Sequence, residues 1–190
     1  MTTTILPATV HRWDDVVAVF GRRGNDPGWC WCRRFLDRPE GPDEVDHRAA
    51  LLGEITTAEV PPGLIAYVDE TPVGWTRVMP RHSLPGVLAN RALRRVLPDD
   101  PGAWWVTCFA VDQRHRHRGV ATRLLGAAVD HARGNGATAV EGHPVDSAAL
   151  RAGRVSGSAL FTGTMRTFLQ AGFTEVARTY PSRPVMRLDL

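Results

Sequence analysis

The chain has no lysine. All 23 of its basic residues are arginine, which excludes a lysine Schiff base and any modification of the protein's own lysines. Cysteine is scarce, at three. That is too few for the disulfide framework of a small secreted scaffold, and no Cys/His tetrad has zinc-finger spacing. Cys30 and Cys32 have only His47 nearby in sequence to join them, so no metal site is expected. No run approaches the ~18 apolar residues of a membrane span. Met1 to Val10 lacks a basic segment followed by an apolar core, so a secretory leader is not expected. The expectation is a soluble protein of a reducing cytoplasm with no membrane partner. An excess of one sign of charge is also missing. The net charge of +3 is too small to argue for nucleic acid, and no such partner is expected.

What is present is ordinary globular material. The 190 residues are 43% hydrophobic and 23% charged, without repeats, low-complexity tracts or a dividing linker. One domain over 1–190 is expected, able to bury roughly two-thirds of its unfolded surface. Thr3 to Val10 reads as a strand broken by Pro7, and Asp14-Asp15 open a short helix. Gly21 to Pro42 reads as a loop. Asp43 to Glu59 reads as a helix with Val45, Ala49, Leu52 and Ile55 at helical spacing. Leu64 to Val68 and Val73 to Met79 form a hairpin pattern. Residues 80–102 read as an insertion with a basic helix from Ala89 to Leu97. Ala103 to Val111 is almost continuously apolar, as suits a strand buried on both faces. A helix from Gly119 to about Arg133 follows, closed by Gly134-Asn135-Gly136. Ala137 to Pro144 is a strand, Ser147 to Ser158 a loop and Gly163 to Ala171 a short helix. Thr174 to Tyr180 and Pro184 to Leu190 are two final strands. This order predicts an α/β fold, a mixed sheet with helices on both faces and a parallel crossover.

The segment Trp105-Val-Thr-Cys-Phe-Ala-Val111-Asp-Gln-Arg-His-Arg116-His-Arg-Gly119-Val-Ala121-Thr carries the clearest chemistry. A buried strand runs through a basic turn and a glycine into a helix. A helix N-terminus leaves about four amides without intrahelical partners and carries roughly half a positive charge. Gly119 and Ala121 keep the backbone accessible, so a pyrophosphate can reach those amides. Arg114, Arg116 and Arg118 add positive charge at the mouth. A solvated turn or a nucleic-acid contact are the competing readings of such a cluster. The phosphate loop that ends in Lys-Ser/Thr is excluded by the missing lysine, and G-x-G-x-x-G is not present.

The pattern Arg116-His117-Arg118-Gly119-Val120-Ala121 resembles the acetyl-CoA-binding motif of the GNAT acetyltransferase superfamily, Arg/Gln-x-x-Gly-x-Gly/Ala after a central strand. The flanking strand and helix are similar to that family, as are the late Phe168-Leu-Gln-Ala-Gly172-Phe173 and the order of elements over most of the chain. The resemblance implies the acyl-CoA N-acyltransferase fold: a mixed, mostly antiparallel central sheet with helices on both faces and a splayed central strand pair. It implies acetyl-CoA as co-substrate. Its pyrophosphate would lie on the backbone of Arg116, His117, Arg118, Gly119, Val120, Ala121 and Thr122. Its pantetheine arm would pair with the main chain of Phe109, Ala110 and Val111 as an added strand. The slot would open between that strand and Ala139 to His143. Segments 80–102 and 147–160 are extra to a minimal member, and homodimers are common in the family.

The chain departs from the family at three positions. A tyrosine that often serves as general acid corresponds to Phe168, an asparagine before it to Phe161, and a glutamate base on the central strand to Val106, Thr107 or Cys108. The remaining candidates for the base are Glu141 and His143, which strand alternation puts on one face. Asp146 lies further out. Cys108 is read as a small core residue, with a nucleophilic role as the competing reading. The early loop would wall the acceptor pocket. Its Trp29, Trp31 and Arg33 suit a planar or anionic small molecule, with a hydrophobic plug as the competing reading. Trp104 and Trp105 point to opposite faces, so at least one is core.

The expected function is transfer of an acetyl group from acetyl-CoA to a small-molecule amine by direct attack in a ternary complex. Acetylation of proteins or peptides, and non-catalytic acyl-CoA sensing, are the alternatives.

Overall fold

The computed structural model describes residues 2–26, 29–33, 35–36, 46–150 and 160–190. Seven strands form one sheet: β1 (Thr3–Pro7), β2 (Gly63–Val68), β3 (Thr71–Pro80), β4 (Ala103–Val111), β5 (Ala139–Gly142), β6 (Thr174–Tyr180) and β7 (Arg183–Asp189). Their order across the sheet is β1-β2-β3-β4-β5-β7-β6. Only β4 and β5 run parallel; the other neighbours are antiparallel. The helices are α1 (Trp13–Phe20), α2 (His47–Thr57), α3 (Pro85–Leu88), α4 (Arg91–Arg94), α5 (Val120–Gly134) and α6 (Met165–Gln170).

The hairpin between β2 and β3 turns on Asp69 and Glu70, both at positive φ, the conformation of a two-residue turn whose twist matches the strands. The strand after it therefore starts earlier than its apolar pattern suggests. Asp46 caps α2, its Oδ1 accepting the Ala49 amide at 2.8 Å. The part of the expected helix before this cap lies outside the described residues. In the 80–102 segment the expected basic helix is shorter. Asn90 starts α4 by accepting the Ala92 and Leu93 amides, and α3 precedes it with Pro85 at its start.

The sheet is buried on both sides. On one face Leu124, Leu125, Ala128 and Ala132 of α5 pack on Leu64, Ala66, Val78, Trp104, Val106 and Phe109. On the other, Val16 and Val19 of α1 with Leu51 and Ile55 of α2 cover Ile65, Trp75 and Cys108. A third cluster joins Trp105 to Leu84, Val87, Leu93 and Val185. Both Trp104 and Trp105 are thus core. The alternation in β4 breaks in the middle. Val78 pairs with Val106 and the preceding Arg77 with Cys108, so Thr107 is an extra residue, a β-bulge. Trp104 and Val106 face α5 before it, and Phe109 faces α5 after it. The bulge therefore reverses the side-chain parity of the strand.

Candidate active site

β4 and β5 pair only over Ala103–Val106 and Ala139–Gly142. Beyond that point they separate. Past Gly142 the chain turns through His143-Pro144, and Val145 bonds the segment around Gly163 and Thr164. Phe168 fills the fork. It is fully buried, its ring packs edge-on to Phe109 and Phe173 at centroid distances of 6.3 and 5.0 Å, and it lies against Gly142. A Cβ at Gly142 would sit 2.5 Å from that ring, so the contact requires glycine. The split leaves the β5-facing edge of Thr107 to Val111 without a strand partner among the described residues.

A cleft of about 670 Å³ opens along this edge. Thr107 to Gln113 and Arg116 form one wall. Val19 to Arg23 at the end of α1 form another, with Trp29, Cys30 and Cys32 beside them, and Phe161 and Thr162 close the third side. Arg23 stacks its guanidinium over Trp29, 4.4 Å from the ring centroid. Cys32 and Cys108 form a disulfide that ties the early loop to β4, and Trp75 Nε1 donates to Cys32 Sγ at 3.2 Å. The reading of Cys108 as an unpaired core thiol or a nucleophile is thereby corrected: its sulfur is bonded. The pairing also removes the cysteine-usage support for a reducing compartment. Cys30 is the free, exposed cysteine.

At the mouth, Asp112 organises the basic turn. Its Oδ1 accepts the Arg114 amide at 2.8 Å, and its carboxylate binds the Arg114 guanidinium. The Arg114 side chain and amide hold the Asp112 carboxyl down at about 2. Arg114 is thus engaged with Asp112, whereas Arg116 lines the cleft and sends Nε to the Val111 carbonyl at 3.3 Å. His117 and Gly119 both take positive φ, 59° and 77°. Gly119 caps α5 in the left-handed region, and its carbonyl accepts from Arg123. No side chain caps the helix. Among the described residues, nothing accepts the amides from His117 to Thr122. Space around the Gly119 α-carbon is open. This is a cradle of unsatisfied donors at a helix N-terminus, an arrangement whose chemistry suits an anion.

The candidate bases stand elsewhere. Glu141 is fully buried, with one oxygen 2.7 Å from Arg81 and the other 2.7 Å from Arg187. Arg187 continues to Asp100 and Asp189. Burial raises the Asp100 pKa, but the hydrogen bonds from Arg187, Thr138 and Gly102 outweigh it and leave Asp100 below its ordinary value. Glu141 is a structural counter-ion and does not line the cleft. His143 is 7% exposed. Its Nδ1 lies 3.5 Å from Arg183 Nη2 and its Nε2 2.7 Å from Thr179 Oγ1. A guanidinium only donates, so Nδ1 accepts and Nε2 carries the proton. The ring's lone pair is turned to an arginine, not to the cleft.

On the acceptor side, only part of the expected trio lines the cleft. Trp29 does. Trp31 is fully buried, stacked on Trp13 at 5.8 Å and donating from Nε1 to the Asp26 carbonyl; it is a plug that anchors the loop. Arg33 is not among the lining residues, and its Nε is buried without a partner. Sequence reasoning missed Phe20, Arg22 and Arg23, whose position depends on where α1 ends against β4. Thr162 is held by Arg183 Nη1 at 3.1 Å. The expected loop of 147–158 falls largely outside the described residues.

A parted parallel strand pair, a donor-rich helix start at its mouth and a cleft along the exposed strand edge define an acyl-CoA N-acyltransferase fold. The family model described as Acetyltransferase (GNAT) family matches residues 29–153, and the chain belongs to that family. Solved structures agree on the fold. The GNAT domain of S. lividans PAT is 18% identical, with 100% of this chain and 92% of that one covered and a TM-score of 0.59. Aminoglycoside acetyltransferase AAC(6')-Ib, solved with coenzyme A and kanamycin, is 16% identical, covering 99% and 95% at a TM-score of 0.58. YncA of Salmonella typhimurium, solved with acetyl-CoA, is 15% identical, covering 100% and 95% at 0.57. No curated protein matches the chain. No helix among the described residues is long and apolar enough to cross a membrane.

Proposed function

We propose that the protein moves the acetyl group of acetyl-CoA to the amine of a small molecule, with both substrates in the cleft at once. The observation that carries this reading is the run of unaccepted amides from His117 to Thr122, set where β4 and β5 part. These amides, with Arg116, would hold the pyrophosphate. The free edge of Phe109 to Val111 would pair with the pantetheine arm. Acetyl-CoA supplies an activated acyl group with a thiolate as leaving group.

The chain's own contribution is positioning. Phe20, Trp29 and the Cys32–Cys108 tie enclose the far end of the cleft, which suits a bounded acceptor better than an extended peptide. AAC(6')-Ib, of the same fold, was solved with the small-molecule acceptor kanamycin. The one acid that lines the cleft among the described residues is Asp112, and Arg114 occupies it. The attacking amine therefore passes its proton to water, and the rate derives from holding the two reactants together. The bonded Cys108 favours direct attack over an acyl-cysteine route.

Calorimetry with acetyl-CoA tests the reading. Wild type should bind at micromolar concentrations. Gly119→Val, which forces a branched residue to φ 77° and closes the cradle, should weaken binding by at least about tenfold. No binding by wild type at millimolar acetyl-CoA would refute the assignment. An amine-metabolite panel run against a peptide array then separates the small-molecule acceptor from a protein one.

A further inference from the structure

We propose that the Thr107 hydroxyl is the donor that hydrogen-bonds the acyl carbonyl of the thioester at the inner end of the cleft. The proposal rests on the acetyl-CoA reading above. Thr107 is the bulge residue, left over between the Val78–Val106 and Arg77–Cys108 pairs. It is also the first residue past the last β4–β5 pair. The residue is 2% exposed and lines the cleft, and its buried Oγ1 has no hydrogen-bond partner among the described residues. Folded chains seldom leave a buried hydroxyl unmet. The neighbouring threonines show the ordinary case. Thr76 donates to the Cys108 carbonyl at 2.9 Å, and Thr162 accepts from Arg183.

The surroundings select the ligand group. Phe109, Phe161 and the Cys32–Cys108 disulfide line the cleft with Thr107. The charged side chains among the described lining residues belong to the end of α1 (Arg22, Arg23) and to the mouth (Asp112, Arg116), and the neighbours of Thr107 on β4, Val106 and the bonded Cys108, supply no counter-charge for a carboxylate, phosphate or ammonium. A neutral carbonyl fits, because it needs one donor and little else. Thr107 also begins the unpaired strand edge along which the pantetheine arm would run, so the group at the arm's reactive end meets this hydroxyl. As the amine adds, the carbonyl oxygen gains negative charge and a fixed donor there gains strength.

The test is a cycle of two ligands and three proteins. Acetyl-CoA and S-ethyl-CoA, in which a methylene replaces the carbonyl, are titrated calorimetrically into wild type, Thr107→Val and Thr107→Ser. Wild type should prefer acetyl-CoA. Thr107→Val should weaken acetyl-CoA by about three- to tenfold while S-ethyl-CoA changes less than about twofold. Thr107→Ser should keep the preference. Thr107→Val should also melt higher, since it removes an unmet buried hydroxyl; a purely structural hydroxyl would move the melting temperature and leave the ligand preference alone. Unchanged acetyl-CoA affinity in Thr107→Val, or equal weakening of both ligands, overturns the proposal and leaves the cofactor assignment standing. Wild type binding neither ligand overturns both. Should Thr107→Val not fold, Thr107→Ala carries the same comparison.

Discussion

Opening the Cys32–Cys108 bond should lower the stability of the whole fold by several kcal/mol. The two cysteines are 76 residues apart in sequence, and the loop they close contains α2 and the β2–β3 hairpin. In the chain-entropy picture, a cross-link over a loop of that size restricts the unfolded ensemble by roughly 4–5 kcal/mol. Spread over the unfolding entropy of a 190-residue chain, at roughly 2 cal/mol/K per residue, the loss corresponds to a fall of about 10 °C in melting temperature. The assay is thermal unfolding by circular dichroism of wild type with and without dithiothreitol, beside Cys32→Ser, Cys108→Ser and Cys30→Ser. Reduced wild type and the first two variants should melt together, about 10 °C below oxidised wild type, because each opens the same bond. Cys30→Ser should melt with oxidised wild type, since Cys30 is free. Thiol titration in denaturant should count a single thiol before reduction and all three after it. Coincident melts with and without reductant, or three thiols in the untreated protein, would refute the argument.

Two other predictions concern buried charge. Glu141→Ala removes the carboxylate shared by Arg81 and Arg187 and should cost about 3–5 kcal/mol in urea unfolding, because two partly buried guanidinium groups lose their common counter-charge. An acetyl-CoA affinity within about twofold of wild type would accompany it, as Glu141 lies off the cleft. His131 packs edge-on to Trp104 and shares a 3.1 Å contact with the Pro61 carbonyl; burial lowers its pKa below the ordinary 6.5, against the raising effect of that carbonyl. A base with a depressed folded pKa binds fewer protons folded than unfolded, so its stabilisation is complete above pH 6.5 and drains away as the pH falls below that value. Urea midpoints for wild type should decline from pH 7 to 5 more steeply than those for His131→Gln, and parallel declines would count against this account.

The order of elements was legible because each long element carries its own periodic signal. Leu124, Leu125, Ala128 and Ala132 mark α5, and they are all fully buried. The motif from Arg116 to Ala121 was legible for a related reason. A backbone site at a helix start depends on a local sequence, Gly119 above all, and not on distant partners. The bulge was not legible. Ala103 to Val111 is apolar on both faces, so the strand has no alternation from which a parity change at Thr107 could be read. Glu141 was misread because its environment is set by register: Arg187 lies directly across from it on β7, and that pairing follows from strand order. Trp29 and Trp31 have the same composition and opposite fates, one on the cleft and one in the core. The disulfide was hidden as well, since the spacing of three cysteines does not say which two the sheet brings together.

The departures from the family pattern become one arrangement once Phe168 is placed. A Gly142 Cβ would lie 2.5–2.6 Å from its ring, so Phe168 fills the space that any larger residue at 142 would need. The position that the family resemblance gives to a proton-donating tyrosine carries a ring packed on Phe109, Phe173 and Gly142. Among the described residues, a cleft with Asp112 occupied by Arg114 and with Glu141 and His143 engaged elsewhere has little acid–base catalysis to offer. On the proposed reading its rate comes from placement, supplied by the amide cradle, the β4 edge past Val106, the bulge and the bonded loop. Loss of one contact in an acid–base mechanism removes a proton path, whereas loosening a wall in a positioning mechanism degrades every step that depends on alignment. Reduction of Cys32–Cys108 should therefore slow acetyl transfer well below the temperature at which it melts the protein, with acetyl-CoA affinity held by the Gly119 cradle.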